Sequence, residues 1–243
     1  RSFDLVRDKN KPHEYFVHYL EKKEHLFKAI ESAMEQRTKA VDFLGENDRG
    51  ITNGYKSLGL NYIFYTIAQY SAGETIEGIK ETYGKTLRYA ERIWEENKGY
   101  VLSLWLLSIG VLLDICDDKK ALLKNIVKKY AKKDKLLWFL MEYLDKGTKE
   151  ATHYLMPLPY QYLDEYIEGK QQDIKLLTKY LTDYWYDAHA DLDWWYDSHK
   201  SPNNTYYGYW SFEAGAVAKI LHLDDSSLKD VPYYPYDLVH YKE

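Results

Sequence analysis

The sequence predicts an all-α fold, on three observations. No proline occurs between His13 and Met156, and proline is the strongest helix breaker because it lacks the N–H and its ring clashes with the preceding turn. Apolar residues recur every three or four positions through most of that stretch, which places them on one face of a helix. No period-two run is long enough to define a strand.

The elements follow in order. Residues 13–37 carry the helical period, and Leu60, Ile63, Phe64, Ile67 and Ala68 form an apolar stripe that ends before Gly73. Ile76, Ile79, Tyr83, Leu87, Ala90 and Trp94 resume it. Val101 to Leu113 is the most apolar run and predicts a helix buried on all sides. Leu122, Leu123, Ile126, Val127 and Tyr130 give the next stripe, and residues 135–146 another. Pro157 and Pro159 interrupt the chain; helices resume near Tyr160 and from Asp173. Pro202-Asn-Asn marks a loop, and Trp210 to Leu221 a short apolar helix. The tail Val231-Pro-Tyr-Tyr-Pro-Tyr236 predicts an extended strap. The expected architecture is a compact multi-helix bundle, with segments 1–118 and 119–243 packed as one unit.

Composition narrows the function. With 45% hydrophobic and 16% aromatic residues in 243, wholesale disorder is excluded. Glycine and proline are 13 and 6, too few for a turn-rich sandwich. The single Cys116 excludes an internal disulfide and a Cys-based zinc site and suits a reducing compartment. Placed in the apolar helix, its thiol is expected to be inert packing. The N-terminal residues Arg1 to Asp8 contain no apolar signal region. The run 101–113 is shorter than the ~20 residues of a spanning helix. A soluble, cytoplasmic protein is expected.

The formal charge is 33 − 38 = −5. Residues 180–243 hold eleven acids and four bases, a net of −7, which leaves +2 for residues 1–179. The acids concentrate in Asp173–Asp197. If one helix runs through it, Ile174, Leu177, Leu181, Trp185, Ala188, Leu192 and Trp195 form its apolar stripe. Asp183, Asp187, Asp193 and Asp197 then lie opposite, with Asp191 on the flank and Tyr186 and Trp194 on the same outer face. No Lys or Arg lies between Tyr180 and His199. Like charges four apart each cost ~0.2–0.5 kcal/mol on a helix, and an exposed Trp adds apolar surface with no folding benefit. A basic partner would convert both costs into binding energy, since Trp and Tyr are the usual interface anchors. The bland alternative is a solvated face neutralised by bases from other helices.

Other motifs are weaker. Lys119 to Lys135 contains eight lysines and one acid. It lacks the arginines and aromatics of a nucleic-acid surface and reads as a solvated helix face. Asp114-Ile-Cys-Asp117-Asp118 is similar to the aspartate-rich magnesium motif of helical isoprenoid synthases, but no second metal motif accompanies it. Glu150 and His153 form one Glu-x-x-His where a helical di-iron site needs two. Asp187, His189 and Asp191 do not share a helix face. No nucleophile elbow or phosphate loop is present. Glu213, on an apolar helix, is expected to accept structural hydrogen bonds.

The C-terminal blocks resemble a known family. Tyr206-Tyr-Gly-Tyr-Trp-Ser-Phe-Glu-Ala-Gly-Ala-Val-Ala-Lys-Ile-Leu221, Leu223-Asp-Asp-Ser-Ser227 and Tyr233-Tyr-Pro-Tyr-Asp-Leu238 are similar to the signature of PoNi-like immunity proteins. Arg7-Asp8 before Tyr15-Phe16 resembles the family's opening, and Ala68-Gln-Tyr-Ser-Ala-Gly-Glu74 its central motif. Such proteins are bacterial antitoxins against PoNe-type DNase toxins. The resemblance implies an all-α fold of two sequence segments, no enzymatic activity, no cofactor, and a cognate DNase toxin as partner. Trp210, Glu213, Asp224, Asp225, Tyr234, Pro235 and Asp237 match signature positions and are expected to serve the shared fold. The partner surface is then expected at Asp183, Tyr186, Asp187, Asp191, Asp193, Trp194 and Asp197, against a basic DNA-binding surface. The alternatives are a helical magnesium-dependent enzyme using Asp114, Asp117 and Asp118, or a scaffold for another basic protein.

Overall fold

The computed structural model describes residues 5–92, 99–190 and 193–242, which form helices, turns and loops with no strand among them. The chain divides into two units, Arg1–Glu96 with Pro202–Gly208, and Asn97–Ser201 with Tyr209–Glu243.

The first unit holds α1 (His13–Thr38), α2 (Arg49–Ala72) and α3 (Ile76–Ala90), with α2 packed on both others. The expected stripes are the buried faces: Phe16, Tyr19, Leu20 and Phe27 of α1, and Ile79, Tyr83, Leu87 and Ala90 of α3. Trp94 lies outside the described residues. Phe27 stacks on Tyr62 at 3.9 Å, and Tyr62 on Tyr89 at 5.3 Å, so one ring column runs across the three helices. Local chemistry sets the ends. The Asp48 carboxylate accepts the Gly50 N–H at 2.9 Å and pairs with the Arg37 guanidinium at 2.8 Å, which caps α2. Thr75 Oγ1 caps α3 through the Gly78 N–H.

Gly73 ends α2 at φ 93°, and a Cβ there would stand 1.9 Å from the Leu5 carbonyl oxygen. Only glycine fits this left-handed turn against a passing backbone. Arg7 donates to the carbonyls of Tyr70 and Glu74 at 3.0 and 2.8 Å, covering the end of α2. The opening and central motifs are therefore one structural joint. Segment 202–208 closes the unit: Tyr206 bonds Asp8, its carbonyl accepts from the Tyr15 hydroxyl at 2.6 Å, and the Tyr207 carbonyl accepts from Ser71 at 2.7 Å.

The second unit is built on α4 (Gly99–Leu113), in which every residue but Tyr100 is buried, as its apolar sequence requires. Around it lie α5 (Asp117–Ala131), α6 (Lys135–Leu144) and, after several short turns, α10 (Phe212–Ile220). The turns are α7 (Pro157–Tyr160), α8 (Asp164–Ile167) and α9 (Lys175–Lys179), with α11 (Tyr236–Val239) near the C-terminus. Asp134 is fully buried and caps α6 by accepting the Leu137 N–H at 2.9 Å, while the Leu155 N–H and the Tyr100 hydroxyl also donate to it. Among the described residues no helix is long and apolar enough to cross a membrane.

Three expectations are corrected. Cys116 is exposed rather than packed in the apolar helix: α4 stops at Leu113, Asp114 turns the chain at φ 50°, and Cys116 precedes the first turn of α5. The Tyr-Pro tail is not an extended strap. It turns at Tyr233, φ 71°, and enters the single turn α11 after Pro235, whose fixed φ suits a helix start. The helix expected from Asp173 is also interrupted.

Candidate functional site

Among the described residues of the acidic segment, only Lys175–Lys179 are α-helical. A π-turn follows over Tyr180–Tyr184, where the Trp185 N–H bonds the Tyr180 carbonyl five residues back at 2.9 Å. One extra residue per turn rotates every later side chain by about 100°. A 3₁₀ turn spans Asp187–His189, Asp197 sits at φ 58°, and a second 3₁₀ turn covers Ser198–Lys200. The single acidic face that an unbroken helix would show is therefore redistributed.

Asp183 and Asp187 are exposed, as expected, and Trp194 is 36% exposed beside the Trp105 ring of α4 at 5.8 Å. Tyr186 is half-buried; its ring stacks on Tyr196 and Tyr233, and its hydroxyl donates to Asp197 at 2.6 Å. Burial first, and that carboxylate second, push the Tyr186 phenol up. The Tyr186 bond and the Lys200 ammonium at 3.0 Å hold the Asp197 carboxyl below the usual range. Asp197 thus already carries a neutralising base. Asp191 lies outside the described residues.

Asp193 departs from the expected outer face. Its side chain is 4% exposed, and Oδ2 lies 3.9 Å from His189 Nε2 with no hydrogen-bond donor. Burial raises its carboxyl to about 6. His189, considered in the sequence only as a weak metal-ligand candidate with Asp187 and Asp191, is fully buried, with Nδ1 2.5 Å from the Trp185 carbonyl and Nε2 2.9 Å from the Tyr160 hydroxyl. Burial lowers its imidazole to about 4. The only local signal was a lone histidine among Trp and Tyr, and its partner Tyr160 is 29 residues away.

The signature positions are mostly interior ties. Glu213 is 1% exposed and accepts from Tyr180 at 2.7 Å and Ser211 at 2.6 Å, joining α10 to the π-turn. Burial outweighs those bonds and raises its carboxyl. Asp225 accepts from Tyr234 at 2.5 Å and faces His240 Nε2 at 2.8 Å. Pro235 lies where a Gly215 Cβ would meet it at 2.8 Å, so α10 and the tail are in backbone-close contact. Asp224 is exposed and caps Ser226; Asp237 is exposed in the first turn of α11, and Trp210 is half-buried.

Asp114 pairs with Lys219 at 2.9 Å, while Asp117 and Asp118 occupy the first turn of α5, where acids oppose the helix dipole. No group of three or more His, Cys, Asp or Glu among the described residues could hold a metal ion. The lysine row is divided: Lys135 is buried and bonds Asp164 and Glu168, Lys124 pairs with Asp145, and Lys128, Lys132 and Lys133 are exposed.

Residues 7–127 match the family model of the PoNe immunity protein (PoNi), N-terminal, and residues 132–238 that of PoNe immunity proteins (PoNi), C-terminal. The chain belongs to the PoNe immunity protein family. As a PoNi family member it is an inhibitor and not an enzyme, and a cognate PoNe toxin is the partner its family implies. Among solved structures, the protein PA2201 from Pseudomonas aeruginosa shares the fold at a TM-score of 0.65 and 19% identity, over 90% of this chain and 87% of that one. A comparison with curated proteins returns no match.

Proposed function

We propose that this PoNi protein binds a PoNe-type DNase toxin inside the producing cell through the surface around Asp183, Asp187 and Trp194, covering the toxin's basic DNA-binding groove. The observation that carries the reading is the exposure of these three side chains in a segment with no Lys or Arg between Tyr180 and His199. A nuclease must present cations to hold phosphates. Two exposed carboxylates and a part-exposed indole in one segment offer such a surface charge complementarity and an aromatic anchor. Tyr186 and Asp197, bonded to each other, and the inward-turned Asp193 belong to the same segment. The Asp183→Lys, Asp187→Lys double variant tests this. It is expected to fold as the wild type does, because both positions are exposed, and to lose protection of cells that express the toxin. Full protection by a folded double variant places the interface elsewhere.

A further inference from the structure

The buried His189–Asp193 pair lies between Asp187 and Trp194 in sequence, and its hydrogen-bond arithmetic does not close. A carbonyl oxygen can only accept, so the 2.5 Å contact with Trp185 puts the imidazole proton on Nδ1. Nε2 is then an acceptor, and it takes the Tyr160 hydroxyl proton at 2.9 Å. Asp193 Oδ2, at 3.9 Å from that same Nε2, finds no donor although it is buried. An ionised Asp193 beside a neutral His189 therefore sets acceptor against acceptor in a dry site, an arrangement that costs free energy.

One proton from solvent resolves the conflict. Placed on the Asp193 carboxyl, it removes the buried charge. Placed on Nε2, where the Tyr160 hydroxyl then accepts instead of donating, it makes an ion pair at 3.9 Å. The surroundings favour uptake. Tyr160 of α7 faces the imidazole, Glu213 of α10 and Asp134 at the start of α6 act electrostatically on Tyr160, and the Trp185 and Trp195 rings pack against His189. Burial alone already raises the Asp193 carboxyl to about 6.

We propose that the His189–Asp193 pair is a proton-operated brace for the toxin-facing surface: protonated, it ties Asp193 to the His189 turn, and deprotonated, it releases that tie. The Asp193 N–H reaches the His189 carbonyl at 3.3 Å, and the brace adds to this long backbone bond. Asp187 precedes the brace and Trp194 follows it, so its state sets how firmly both are presented. The functional consequence rests on the surface reading above; the brace itself does not.

Hydrogen exchange of the full chain, corrected for intrinsic rates, tests the brace at pH 5.5 and 7.5 in the wild type and Asp193→Asn. Protection of amides 186–190 and 193–197 is expected to rise several-fold at pH 5.5 in the wild type and to stay level in the variant. Equal protection at both pH values in the wild type, or the same rise in the variant, overturns the proposal. The wild-type His189 imidazole resonances give a reading that needs no variant. They must sense one protonation step between pH 5 and 7, and a featureless titration there also overturns it. Toxin dissociation is read in parallel, with Asp193→Asn cancelling the toxin's own pH response. Slower wild-type release at pH 5.5 supports the coupling. Unchanged release despite changed exchange overturns the surface reading and leaves the brace standing.

Discussion

Replacing Asp193 by Asn makes the cost of the buried carboxylate measurable as equilibrium stability. The folded protein holds the Asp193 proton up to about pH 6, against 3.8 for the ordinary carboxyl. A carboxyl raised on folding contributes its full stability below pH 3.8 and loses it as pH climbs through 6. That interval, at about 1.4 kcal/mol per pH unit, amounts to ~3 kcal/mol. His189 acts in the opposite sense. Its imidazole is depressed to about 4 from 6.5, so its contribution is full above pH 6.5 and is lost as pH falls through 4. Between about pH 4 and 6 the two slopes cancel, so within the limits set by these two groups the wild type is nearly level there and gains slightly from pH 6 to 6.5. Asn cannot ionise, so the variant avoids the loss on the alkaline side. Urea unfolding at pH 4.5 and 7.5 measures this. Asp193→Asn should exceed the wild type by ~2–3 kcal/mol at pH 7.5 and by only ~1 kcal/mol at pH 4.5. A variant less stable than the wild type at pH 7.5, or one whose advantage does not grow from pH 4.5 to 7.5, would refute the reasoning.

The remaining predictions concern surface, turn and tail. Trp194→Ala should weaken toxin binding at least tenfold by calorimetry while the melting temperature falls little, because the indole is only partly packed on Trp105. Gly73→Ala forces a Cβ onto the Leu5 carbonyl at a positive φ, and should lower urea-unfolding stability by ~2 kcal/mol or more. Tyr234→Phe removes the donor to the Asp225 carboxylate, and should cost ~1–2 kcal/mol. Its toxin affinity at low temperature should equal the wild type's, as a fold-supporting signature residue requires.

Much of this protein was legible without coordinates, because helices are local. Their hydrogen bonds join residues four apart, and their buried faces repeat on the same scale. The stripes of α1, α2, α3, α5 and α6, and the almost wholly buried α4, could therefore be read along the chain. The caps Asp48, Thr75 and Asp134 also act within three residues of themselves. The exposure of Asp183 and Asp187 followed from the same periodicity, because both precede or lie close to the point where it fails.

What tertiary structure decided lies beyond that reach. The π-turn at Tyr180–Tyr184 adds a residue to one turn, and Glu213, 33 residues away, holds Tyr180 there through its hydroxyl. Past the π-turn the helical count loses phase, so Asp193 moves from the expected outer face to the interior. His189 gains its place from Tyr160, and Tyr186 its ring partners from Tyr209 and Tyr233, all distant in sequence. Cys116 became exposed because one positive-φ residue, Asp114, ended α4 before it. Sequence alone therefore determined the helices and the presence of an acidic, aromatic segment. Which of its acids meet solvent was decided by buried hydrogen bonds from remote side chains, which no local period encodes.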